Sequence, residues 1–242
     1  MRRFTFSTSK SPGMKYLAIE TATECCSVAL FHDDAIISES EVAPLRHNEI
    51  VLSMCERVLA QAEVGLSQLD GIAFGCGPGA FTGVRLAASV TQGIALAQDL
   101  PVVPVSSLAA LAQAAHCQHE ASQVLACIDA RMQEVYVALY QLDENRIMQL
   151  EGEEQVIEPA LVSVKVHEHC MGCGSGWRPY AEILLERCGK AIAFDADAAP
   201  QAEFVAVLAK PRFERGETVS ATEALPVYVR HDVAQKPKSR AI

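Results

Sequence analysis

No apolar run in this chain of 242 residues approaches the roughly 20 needed to cross a bilayer, so no membrane role is expected. Export signals are missing too: MRRFTFSTSKSPG is basic but has no apolar core. Residues 1–13 read as a dispensable extension that precedes a functional start at Met14. Positive charge is scarce, with 20 Lys and Arg against 30 Asp and Glu and a net charge of −10. Such a surface repels phosphate backbones, which argues against stand-alone nucleic-acid binding. The exception is the basic run at residues 236–240, a candidate contact arm. The nine cysteines, an odd number without an export signal, fit a reducing cytosol better than a disulfide framework. Cys55 and Cys127 read as small buried hydrophobes. Two hydrolase signatures, G-x-S-x-G and H-E-x-x-H, do not occur.

What is present is a repeated order of elements. YLAIE, CSVALF and AIISESEV read as strands, with Asp33-Asp34 turning between the last two. A helix over residues 48–61 carries Ile50, Val51, Met54, Val58 and Leu59 near helical spacing. LDGIAFG is a strand, residues 81–98 a helix, PVVPVS a strand, and residues 107–116 a helix. After residue 120 the order starts again. QVLACIDA, EVYVALYQL and RIMQLEGEEQV are strands, and Pro159 opens a helix. HCMGCG is a strand, residues 179–188 a helix, AIAFDA a strand, and residues 201–214 a helix. Two βββαβαβα runs predict an α/β protein of two ribonuclease-H-like halves, each a mixed sheet flanked by helices. The expected division is 14–118 for the first half and 119–200 for a smaller second half. Residues 201–242 form a C-terminal helix and basic tail, and the helix at about 201–215 is expected to pack back on the first half.

The stretch GCGPGAFTGVR, from Gly75 to Arg85, imitates a phosphate loop. It lacks the Lys-Ser/Thr of a P-loop. The spacing Gly75-x-Gly77-x-x-Ala80 fits a dinucleotide fingerprint, but the next strand has no acid for a ribose hydroxyl, and Pro78 removes a backbone donor. A structural turn fits better. In the helix that follows, Val84, Leu86, Ala87, Ala88, Val90, Ile94, Ala95 and Leu96 spread around nearly the whole circumference. Either the helix is buried or a partner covers its outer face.

Read together and in order, YLAIETATECCSVALF, GPGAFTGVRLAASVTQGIAL, VPVSSLAAL, IDARMQEVYVALY, GSGW and LPVYVR resemble the TsaB (YeaZ) family, from Met14 to about Arg230. The resemblance implies the actin/hexokinase/Hsp70-type pair of halves. It also implies a non-catalytic scaffold subunit that binds and activates the catalytic paralogue TsaD. TsaD transfers a threonylcarbamoyl group to N6 of the adenosine beside the anticodon in ANN-decoding tRNAs. Implied as well are a TsaE-like ATPase partner, a homodimer when the chain is alone, tRNA contact only through the complex, and a cytoplasmic location. No cofactor is expected to be tightly bound, with ATP or ADP only at the interface of the complex. The family contacts TsaD through the helices near residues 47–62 and 81–97, which makes His47, Ile50, Val51, Met54, Val84, Arg85, Ala88 and Gln92 the candidate partner-binding residues.

Catalytic residues are expected to be none, and a metal none. The paralogue holds its metal with H-x-x-x-H, whereas here His47 is followed four residues later by Val51. Kinases and ATPases of this superfold place Asp-x-Gly turns beside phosphate and magnesium. Here the turns carry Glu20 with Ala22, where the family commonly has Asp at position 20, and Asp129 with Arg131. Glu20, Asp129, Gly174 and Gly176 are therefore only weak candidate nucleotide contacts. A small-molecule kinase or ATPase of the same superfold is the alternative function. His167, His169, Cys170 and Cys173 have metal-like spacing but no counterpart in the family, and ordinary loop and strand residues are the expected reading.

Overall fold

The computed structural model describes residues 13–189 and 191–229. The extension before Gly13 and the basic run at 236–240 lie outside the described residues. The first half contains β1 (Tyr16–Glu20), β2 (Cys25–His32), β3 (Ala35–Val42), α1 (His47–Gln61), β4 (Gly71–Gly75), α2 (Phe81–Gln98), β5 (Val102–Val105) and α3 (Ser107–His119). The second contains β6 (Gln123–Arg131), β7 (Glu134–Leu142), β8 (Met148–Ile157), β9 (Cys170–Cys173), α4 (Trp177–Cys188), β10 (Ala193–Asp195) and α5 (Ala202–Glu214). The strand orders are β3-β2-β1-β4-β5 and β8-β7-β6-β9-β10. In each sheet the first three strands pair antiparallel, and the later two join parallel. The halves therefore share one topology, as the repeated element order predicts.

One expected helix is missing. Only a single 3-10 turn, Pro159–Leu161, follows β8. The residues after it, VSVKV, place Val162, Val164 and Val166 at a period of two, with Val162 and Val166 buried. β-Branched residues at that spacing suit an extended chain laid on a core better than a helix.

Alternation along the central strand distributes the helices. Leu17 and Ile19 of β1 face α1 and α2, in one cluster with Val51, Met54, Val58, Ala87 and Ala95. Tyr16 and Ala18 face the other way, toward Ala110 and Ala114 of α3 and Val205 and Ala209 of α5. Tyr16 anchors that side: its ring lies 4.8 Å from Phe31 and 4.7 Å from Phe213, and its hydroxyl donates to the Ala206 carbonyl at 2.8 Å. Helix α5 packs on this face of the first sheet.

Helix α3 is shared. Leu108, Leu111, Ala112 and Ala115 pack on Val124, Ala126, Tyr140 and Cys173 of the second sheet, while Ala110 and Ala114 serve the first. Its alanine-rich sequence follows from that position, since small side chains let both sheets approach. Gln113, 1% exposed, bridges the halves by donating to the Arg146 carbonyl at 3.1 Å and accepting from Met148 N–H at 2.9 Å. On the far face of the second sheet sits Trp177, the single tryptophan. It is fully buried, stacks on Phe194 and donates from Nε1 to the Leu125 carbonyl at 3.2 Å.

Candidate functional site

The glycine loop between β4 and α2 is filled by the chain itself. Ala80 N–H donates to the Ala22 carbonyl at 2.7 Å, and Thr21 Oγ1 donates to the Gly83 carbonyl at 2.7 Å. A Cβ at Gly79 would stand 2.4 Å from Ala22 O, and one at Gly83 would stand 2.0 Å from Thr21 O. The close backbone approach that glycine permits thus serves the β1–β2 turn. Behind the loop, Ser107 N–H donates to the Gly77 carbonyl, and Val227 N–H to the Cys76 carbonyl.

Glu20, a candidate nucleotide contact, is corrected by this geometry. Its carboxylate is fully buried, accepts from Ala22 N–H at 2.6 Å and from Ser107 Oγ at 2.7 Å, and presents nothing to a ligand. Burial outweighs those donors and holds its pKa above the usual value of 4.5. A group with a raised folded-state pKa binds its proton more readily when folded. Its contribution is therefore fully present below pH 4.5 and is lost as pH rises through the folded value. Glu20→Gln should match wild type in acid and gain on it toward neutrality, by about 1.36 kcal/mol for every tenfold by which folding strengthens proton binding. Urea unfolding midpoints of the two proteins across that range check this, and a difference that does not vary with pH would refute it.

In the second half the turn residues do meet. Ser175 Oγ accepts from Asp129 N–H at 3.1 Å, and Gly174 and Gly176 are buried against Cys127. The Asp129 carboxylate accepts from Arg131 N–H at 2.8 Å and pairs with its guanidinium at 3.1 Å. Asp129 and the 174–176 turn therefore share a locality in the second half, whereas Glu20 is enclosed in the first. The His/Cys cluster does not converge. Cys170 and Cys173, three apart on β9, enter the cores on opposite faces of the sheet, while His167 and His169 stay exposed. Burial raises the pKa of all nine thiols, to about 12 for Cys55 and Cys76. None is poised as a thiolate nucleophile.

The partner-binding candidates divide by helix face. Val51, Met54, Val84 and Ala88 are corrected: all four are buried in the core of the chain and are not at a surface. His47 is half-buried with Nε2 3.3 Å from the Glu24 carbonyl, Ile50 packs against the core, and Gln92 donates to the Ala224 carbonyl at 3.1 Å. Arg85 alone of the eight is exposed. Its guanidinium lies 3.6 Å from the Phe81 ring centroid, and its Nε donates to Tyr228 OH at 2.8 Å. The outward stripe of α2 is instead Phe81, Arg85, Ser89, Gly93 and Leu96, and that of α1 is Asn48, Leu52, Glu56 and Ala60, each recurring every three or four residues. Phe81, Leu52 and Leu96 are more than half exposed (52%, 55% and 62%), and Leu225, Val227 and Tyr228 are exposed in the segment after the 3-10 turn Ala221–Glu223. Space around Gly93 is open, with nothing within 4 Å of a Cβ built there. Sequence reasoning did not single out Phe81, Leu52, Gly93, Leu96 and Tyr228 as outward-facing. The available signal was Phe81 and Arg85 one helical turn apart beside the LPVYV segment.

Among known proteins, residues 36–174 match the family described as TsaD, tRNA N6-adenosine threonylcarbamoyltransferase. The chain is 39% identical over 231 residues to the tRNA threonylcarbamoyladenosine biosynthesis protein TsaB of Escherichia coli K12, covering 92% of this chain and 97% of that protein. The corresponding protein of Haemophilus influenzae is 38% identical over 231 residues, covering 91% and 95%. The chain belongs to the TsaB (YeaZ) family. A solved structure of YeaZ from Pseudomonas aeruginosa, 46% identical, superposes with a TM-score of 0.84 over 89% of this chain and 99% of that one. The fold class expected of the family, two ribonuclease-H-like halves, is the fold described above. Another solved structure is described as a protein with similarity to peptidase YeaZ from that organism, with the same identity and TM-score. Among the described residues, no group of three or more His, Cys, Asp or Glu is placed to hold a metal ion. No described helix is long and apolar enough to cross a membrane.

Proposed function

We propose that this TsaB-family chain acts in tRNA threonylcarbamoyladenosine biosynthesis as a non-catalytic scaffold. It docks the TsaD-like catalytic paralogue through the outward stripes of α1 and α2 and so supports threonylcarbamoyl transfer to N6 of the adenosine beside the anticodon. The names of the relatives support the pathway. The observation that carries the docking role is the exposure of apolar Leu52 on α1 and of Phe81 and Leu96 on α2, with Gly93 open on the same α2 stripe and Arg85 packed on Phe81 and Tyr228. An apolar row with an Arg and aromatic residues at its edge has the composition of a protein interface. In this reading the same face pairs two copies when the paralogue is absent. A TsaE-like ATPase joins the complex, tRNA is met only through it, ATP or ADP sits only at the joint interface, and the complex is cytoplasmic.

The kinase or ATPase alternative lacks a free carboxylate in either turn, since Glu20 is enclosed and Asp129 is held by Arg131. The purified chain should hydrolyse ATP with magnesium at the buffer rate, unchanged in Asp129→Ala. Turnover that Asp129→Ala abolishes would overturn the non-catalytic reading. The decisive test is co-purification with the TsaD-like paralogue, followed by tRNA nucleoside analysis after depletion of the chain. Loss of threonylcarbamoyladenosine without any physical complex would refute the scaffold role.

A further inference from the structure

A cleft of about 1200 Å³ opens between α5 and the β7–β8 hairpin and contains none of the residues of the glycine loop or the 174–176 turn. Its walls combine apolar Met14, Phe31, Ile36, Ile147, Val207 and Phe213 with polar and charged side chains from both halves, among which Ser106, Tyr140 and Glu154 form one linked group. Tyr140 OH donates to Glu154 Oε1 at 2.7 Å, and the Ser106 hydroxyl donates to the same oxygen. Burial and the nearby Glu154 charge raise the Tyr140 phenol well above its ordinary value, so it stays a donor. The carboxylate is thus fixed by two hydroxyls on one oxygen. Its Oε2 accepts no hydrogen bond and Glu154 forms no ion pair among the described residues. Three cations of the cleft are engaged elsewhere: Lys210 with Asp34 at 2.7 Å, Arg215 with Glu217 at 2.6 Å, and Arg212 with the Pro104 carbonyl. The fourth, Arg146, is exposed in the β7–β8 turn.

A preorganised carboxylate with one bare oxygen, in a cleft that also offers apolar wall, is complementary to a cationic donor carried on an apolar body. We propose that this cleft binds a small organic amine, its ammonium on Glu154 Oε2 and its alkyl or aryl body against Phe31, Val207 and Phe213. The site is separate from the docking face and does not depend on the scaffold reading. Isothermal titration of the full chain with hexylamine, hexan-1-ol and hexanoate at matched ionic strength tests it. The three share one apolar skeleton and differ in the head group. Hexylamine is expected to bind at least about tenfold tighter than hexan-1-ol, the scale of one charge-assisted hydrogen bond. Glu154→Gln should bring the amine to the level of the alcohol and leave the alcohol unchanged. Tyr140→Phe, which keeps the carboxylate, should retain the preference. General attraction of cations to an acidic protein would survive the loss of one charge in a net −10. The proposal is overturned if no probe binds, if hexanoate is preferred because Arg146 governs the site, or if the amine preference persists in Glu154→Gln.

Discussion

Gly83→Ala should destabilise the chain by about 2–3 kcal/mol, while Gly93→Ala, the same chemical change ten residues along the same helix, should stabilise it by about 0.5–1 kcal/mol. Alanine is favoured over glycine in a helix interior by close to 1 kcal/mol, so propensity alone would raise both variants. The surroundings decide the sign. At Gly83 the new methyl would lie 2.0 Å from Thr21 O and 3.1 Å from Thr21 C, both backbone atoms. That turn cannot retreat cheaply. It is tied by Thr21 Oγ1 to the Gly83 carbonyl and by the Ala22 carbonyl to Ala80 N–H, and it follows β1, the central strand of its sheet. At Gly93 nothing lies within 4 Å, so the methyl meets only solvent and the helix keeps its entropic gain. Urea denaturation of both variants under one set of conditions is the measurement. Equal shifts in one direction would mean that the loop and the β1–β2 turn are not in contact.

The second large effect concerns association. Gly93→Arg should leave the isolated chain folded with an unchanged or raised melting temperature, and should weaken its complex with the TsaD-like paralogue by about 30-fold or more. Gly93 lies between Ser89 and Leu96 on the outward stripe of α2, where the missing side chain lets a partner approach closely, and a guanidinium there must be desolvated or must hold the two surfaces apart. Truncation or blockage at the centre of an interface commonly costs about 2 kcal/mol or more. Placing the charge at Ala88 would confuse the two effects, because Ala88 is 3% exposed and its substitution disrupts the core. Affinity by surface plasmon resonance, alongside circular dichroism of the variant, separates them. Undiminished affinity in a folded Gly93→Arg protein would remove α2 from the interface.

Much of the fold was legible because its physics is local. Alternation marked the strands, Asp33-Asp34 marked a turn, and the repeated βββαβαβα order announced two like halves. Residues 159–166 misled because a proline followed by apolar residues opens a helix as readily as an extended run, and only the spacing of Val162, Val164 and Val166 distinguishes them. The outward face of α2 was hard to pick out for a related reason. Around α2 the inward set (Val84, Ala88, Ala95) and the outward set (Phe81, Leu96) are both apolar, so periodicity cannot say which side meets the sheet. Glu20 shows a third limit. A carboxylate in a turn after a strand is equally a ligand or a brace until its partner is known, and Ser107 lies 87 residues away in sequence.

The adjacent serines at the start of α3 tie the two halves to one helix. The Ser106 hydroxyl reaches Glu154 of the second half while accepting from Leu108 and Ala109 N–H at the head of the helix, and the Ser107 hydroxyl reaches Glu20 of the first. Six residues further along, Gln113 grips the β7–β8 turn. Jaw-like closure around a ligand would require one sheet to slide over α3, breaking one of these ties and exposing an alanine-lined seam. The helix works as a rivet, packed on both sheets. Fastened in this way, the two halves resist separation about α3, and under the scaffold proposal the motion of a catalytic cycle falls to the partner.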